Sequence, residues 1–138
     1  MHANNSGGDG VYVTGTTCSG AYRLASEGLT LRDVRSSRGY RQGLSVISVA
    51  RFLATDCTFE DTGVVGYTSP SAGVDIEPGS PSTVLDGLRF VNCPARHNFG
   101  AGFTPDSGHG GLGRRTTVTI RFDGCTVVGG RVASCHIL

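Results

Sequence analysis

Apolar positions in this chain recur as short columns rather than as a helical stripe. Four segments align without gaps: Leu29–Ser36, Phe52–Phe59, Leu88–Ala95 and Ile120–Val127. Their first column reads Leu29, Phe52, Leu88, Ile120, and the column two residues on reads Leu31, Ala54, Phe90, Phe122. Three residues further on stand Val34, Cys57, Cys93 and Cys125. A flat strand keeps one face at a step of two. The odd step therefore requires the backbone to turn between the second and third columns. The residue before the third column is Asp33, Asp56, Asn92 or Gly124, types that tolerate a left-handed backbone. Each copy is predicted to be strand, one-residue corner, strand.

A second recurring element precedes these units: Gly10-Val-Tyr-Val13, Gly43-Leu-Ser-Val46, Gly73-Val-Asp-Ile76 and, with a weaker match, Gly102-Phe-Thr104. The glycines are 33, 30 and 29 positions apart, and the apolar residues after them alternate as in strands with one buried face. One period is thus a glycine-led strand followed by a corner unit. Stacking such periods about 4.8 Å apart gives a coil of parallel strands whose crossovers are the coil itself. The prediction is an all-β, right-handed parallel β-helix forming a single domain over 1–138, with about four rungs beginning near 10, 43, 73 and 102. Cys57, Cys93 and Cys125 should form an internal ladder of small apolar residues, without disulfides. The segments 15–27, 60–71, 78–86 and 104–117 vary in length and are rich in Gly, Ser, Thr and Pro, so they read as loops.

Composition narrows the function classes. A net charge of +1 gives no electrostatic case for nucleic acid or an anionic membrane, and no apolar run is long enough to span a bilayer as a helix. The five cysteines include no CxxC pair and no zinc-site spacing. The first residues lack the basic and apolar regions of a secretory signal.

The Gly-x-apolar strands and the apolar-x-apolar-x-Asn/Asp-Cys corners resemble right-handed parallel β-helix proteins of the pectate-lyase-like superfamily. Residues 40–48 (YRQGLSVIS) and 72–78 (AGVDIEP) are especially similar to its bacterial members, and the likeness extends over about 4–130. The resemblance implies a carbohydrate-active protein, extracellular or on the cell surface, that acts on or binds a polysaccharide. It does not select among lyases, hydrolases, epimerases and non-catalytic members. Family members are usually longer and capped, so the chain is expected to be part of a longer solenoid whose open edges favour association.

Alternation gives the candidate site. If Val74 and Ile76 point inward, Asp75 and Glu77 point outward. One outward column is Tyr12, Ser45, Asp75, Thr104; the next is Thr14, Ile47, Glu77, Asp106, with Arg41 and Gln42 just ahead of the second strand. Two carboxylates at i and i+2 lie roughly 6–7 Å apart, a separation compatible with paired-acid glycoside chemistry. The same pair could hold calcium, and in a lyase Arg41 or His109 would then supply the base. Asp75, Glu77 and Arg41 are the catalytic candidates. Gln42, Ser45, Tyr12, Asp106 and His109 are the candidate substrate contacts, and Asp75 with Glu77 form the candidate calcium site. Tyr12, Tyr40 and Tyr67 are candidate aromatic platforms for sugar in a chain without Trp. The expected function is binding or cleavage of an acidic polysaccharide. The alternative is a structural or adhesive β-helix module on which Asp75 and Glu77 are solvated charges.

Overall fold

The structure, a computed structural model, describes residues 1–18, 21–105 and 118–130. Strand β1 (His2–Asn4) leads into a first turn of β2 (Val11–Val13), a hairpin of β3 (Thr16–Cys18) and β4 (Ala21–Leu24), then β5 (Ser26–Glu27), β6 (Thr30–Arg32) and β7 (Arg35–Ser37). The second turn is β8 (Leu44–Val46), β9 (Val49–Ala50), β10 (Leu53–Thr55) and β11 (Thr58–Glu60). The third is β12 (Val74–Ile76), β13 (Leu85–Asp86), β14 (Leu88–Val91) and β15 (Pro94–Asn98); β16 (Phe103–Pro105), β17 (Ile120–Asp123) and β18 (Thr126–Gly130) follow.

These strands stack into four parallel walls. Wall one is β2, β8, β12 and β16; wall two is β5, β9 and β13; wall three is β6, β10, β14 and β17; wall four is β1, β7, β11, β15 and β18. The result is a parallel β-solenoid of about three turns. Among the described residues the one antiparallel pair is β3 with β4, an excursion within a segment expected to be a plain loop.

The registers match the sequence columns. Ala54 pairs with Leu31 and Phe90, and Phe90 with Phe122. Val34, Cys57, Cys93 and Cys125 follow from the wall-four registers as one internal column. Cys57 and Cys93 are fully buried, Cys125 is partly so, and all three thiols are free. The interior is otherwise Val, Leu, Ile and Phe.

Corner chemistry explains why the chain turns where it does. Asp33, Asp56, Asn92 and Gly124 have φ of 51°, 54°, 52° and 63°. Two more left-handed columns were not visible in the sequence. Gly28, Arg51 and Gly87 separate walls two and three, while Asn5, Arg38, Asp61, His97 and Gly129 stack at the far end of wall four. A β-branched side chain resists this conformation by about 1–2 kcal/mol. Asp56→Val should therefore lower the urea midpoint, whereas Asp56→Gly should leave it within about 1 kcal/mol of the native value. An Asp56→Val protein as stable as the parent would mean that the corner is not held in this geometry.

The leading glycines have a steric reason. Successive turns hydrogen-bond directly through them: Gly43 N donates to Ala72 O and Leu44 N to Gly73 O. A Cβ on Gly73 would stand 2.7 Å from the Gly102 carbonyl oxygen and 3.2 Å from the Ala95 Cβ. Walls one and four approach each other too closely there for any side chain.

Candidate functional site

The expected outward column exists in register on wall one: Tyr12 pairs with Ser45, Ser45 with Asp75 and Asp75 with Thr104. Its exposure differs from the expectation. Tyr12 is 52% exposed, but Ser45 and Asp75 are buried at 0% and 1%. The outer face of β8 and β12 is covered, so Asp75 is not a solvated charge and neither Asp75 nor Ser45 offers a surface contact. Gln42 is also fully buried.

Polar contacts on this face span three turns. Gln42 Nε2 donates to Asp75 Oδ2 at 2.7 Å, and the Ala72 amide donates to Gln42 Oε1 at 3.1 Å. Gln42 therefore ties the second turn to the third through both ends of its amide. Arg41 holds Asp9 in a bidentate pair, with Nε to Oδ1 and a terminal nitrogen to Oδ2 each at 2.8 Å. Ser45 Oγ donates to Asp9 Oδ2 at 3.0 Å. The Asp9 side chain is 9% exposed and that of Arg41 is 37% exposed.

Asp9, just ahead of β2, is not among the candidates read from the sequence. Its role depends on a contact 32 residues away, which local pattern cannot report.

The electrostatics fix the role of Arg41. Its pKa is raised above the ordinary value, chiefly by the hydrogen bond to Asp9, with further contributions from the charges of Asp9, Glu77 and Asp75. The shift favours the cationic form of Arg41, and Glu77 and Asp75 lie within reach of its field. Glu77 is partly exposed. Tyr12 sits beside Ser45 at the accessible end of the same face.

Asp106 and His109 lie outside the described residues. Among the described residues, no three His, Cys, Asp or Glu side chains gather as a metal ion would require.

A second feature borders wall one. The loop from Asp61 to Ala72 carries Val64, Val65 and Tyr67, all more than half exposed, and the Tyr67 ring stacks on Phe99 at 4.1 Å and 22°. Tyr40, 41% exposed, packs against the bare Cα of Gly66. Sequence reasoning had singled out both tyrosines, but their arrangement follows from tertiary contacts.

No protein-family model matches this chain, and no curated protein or solved structure shows significant similarity to it.

Proposed function

We propose that this chain forms a right-handed β-helix of the pectate-lyase-like kind, and that it binds an acidic polysaccharide along the outer face of wall one. The observation that carries the reading is the Asp9–Arg41 pair set beside Glu77, with exposed Tyr12 on the same face. A guanidinium has five N–H donors, and Asp9 engages two of them. The exposed part of Arg41 can donate the rest to a uronate carboxylate. Glu77 suits sugar hydroxyls as an acceptor, and the Tyr12 ring offers an apolar face to a sugar ring. Gln42 serves from below by tying β12 through Asp75 to the segment before β8, and Ser45 ties β8 to Asp9. Such a binder acts at or outside the cell surface.

Binding is favoured over cleavage because Asp75 is sealed from substrate, so the two-carboxylate arrangement of glycoside chemistry is not presented. That same burial favours, as a second reading, a structural β-helix module in which the network only clamps turns together.

Affinity electrophoresis through gels containing a polyuronate or a neutral glucan separates the two. The parent chain should be retarded by polyuronate. Arg41→Gln should weaken that interaction about tenfold, the usual scale for one charge-assisted contact, while Glu77→Gln should have a smaller effect. Circular dichroism should report the same fold for all three. Equal retardation of Arg41→Gln and parent, or no retardation by any polyuronate, would favour the structural module.

A further inference from the structure

We infer that the shelf formed by Tyr40, Val64, Val65 and Tyr67 is a second carbohydrate subsite, one that takes an uncharged pyranose ring. The inference deepens the polysaccharide reading and rests on it for the class of ligand, but it stands on different residues.

Tyr67 is the centre of the argument. One face of its ring is backed by Phe99 at 4.1 Å, yet 54% of the residue stays exposed. Stacking on the half-buried Phe99 holds the half-exposed Tyr67 ring in place before any ligand arrives, which limits the entropy lost on binding. The supporting loop is tied to both neighbouring turns. Gly63 N donates to Gly39 O at 2.8 Å, Thr68 N to Tyr40 O at 3.3 Å, Phe99 N to Thr62 O at 2.8 Å and Ser71 Oγ to Thr68 O at 2.9 Å. Tyr40 lies against Gly66, whose φ of 148° and missing Cβ let the ring approach; a Cβ there would meet Tyr40 Cε2 at 2.8 Å.

Charge and size select the occupant. No ionisable carboxylate or cation occurs from 62 to 74, and Thr68 and Ser69, which follow Tyr67 in sequence, are exposed. The face of an aromatic ring is electron-rich, and it attracts the weakly positive C–H groups lining one side of a pyranose. The loop itself, 62–74, offers a uronate carboxylate no cation. A protein partner needs about 800 Å² and some 20–30 residues a side, far more than these four side chains provide. One or two sugar rings match the shelf.

The test uses the intact chain, whose four tyrosines fluoresce without interference because Trp is absent. Titration with soluble neutral oligosaccharides of several linkages, followed by tyrosine fluorescence and by calorimetry, should give a saturable response for at least one. Tyr67→Ala should weaken it about tenfold, as expected for loss of an aromatic contact. Tyr67→Phe should retain affinity within about twofold, since the ring face remains. Tyr67→Ala should leave polyuronate retardation unchanged while Arg41→Gln reduces it, so the two readings fail independently. If Tyr67→Ala alters the fold, the comparison of Tyr40→Leu with Tyr40→Phe reads the same shelf. The inference is overturned if no neutral sugar binds, if Tyr67→Ala binds as well as the parent, or if the shelf proves to capture a protein and not a glycan.

Discussion

Phe90→Ala is expected to destabilise the coil by about 3–5 kcal/mol, the range for emptying a buried aromatic site. Phe90 is fully buried and its ring centroid lies 5.6 Å from Phe52, 5.2 Å from Phe122 and 5.9 Å from Phe103. Phe103 in turn meets Phe122 at 4.9 Å. These four rings come from walls one and three, so they bridge the lumen as well as stacking along it. Removing the central ring deprives three others of their neighbour and opens a cavity that rigid strands cannot close. Domains are stable by only about 5–15 kcal/mol, so the variant should melt about 10 °C or more below the parent. Phe90→Leu should recover much of the difference, whereas Val128→Ala, at a half-exposed position, should fall within about 0.5 kcal/mol. Thermal melts by circular dichroism measure all three. A Phe90→Ala protein that melts with the parent would contradict the packed lumen described above.

The second large effect is alkaline. Burial pushes the Cys93 thiol from 9.0 up to about 12, against a smaller opposing hydrogen bond from Cys57. Burial raises Cys125 as well. A group that keeps its proton in the folded state and loses it in the unfolded state favours unfolding as pH rises. Cys93 therefore costs nothing below pH 9. Its effect grows between about pH 9 and 12 and reaches at most about 4 kcal/mol, from three pKa units at 1.36 kcal/mol each. All twelve basic side chains are Arg, so no lysine titrates in this window, and the tyrosines are common to parent and variant. Urea unfolding at pH 8 and pH 10.5 should show a larger loss for the parent than for Cys93→Ala. In the folded protein at pH 8, Cys93 should resist alkylation. Rapid labelling there, or identical pH slopes in the two proteins, would rule out a sealed thiol ladder.

Much of this architecture was legible because it repeats. Leu31, Ala54, Phe90 and Phe122 align in sequence and stack in space, since a solenoid converts sequence period directly into neighbourhood. Asp33, Asp56 and Asn92 marked one corner because their short polar side chains tolerate positive φ. The other corner columns were hidden. Arg38, Arg51 and His97 adopt the same conformation without the composition that signals it, held by the turns above and below.

The site was legible only in part. Alternation placed Tyr12, Ser45 and Asp75 on the outer side of wall one, and the registers agree. Alternation reports which side of a strand a residue occupies, not what packs over it. Gln42 bonds Asp75 from the preceding turn and Arg41 folds back onto Asp9, so the expected outward Asp75 is buried in polar contacts, with Arg41, Glu77 and Tyr12 at the accessible parts of the face. The sequence by itself determined the parallel coil, its internal cysteine column and its glycine-led wall, because each is a local preference repeated at a fixed period. Only the tertiary structure decided which polar groups are sealed and that Tyr67 stacks on Phe99, because those outcomes rest on contacts between residues about thirty positions apart that no local pattern encodes.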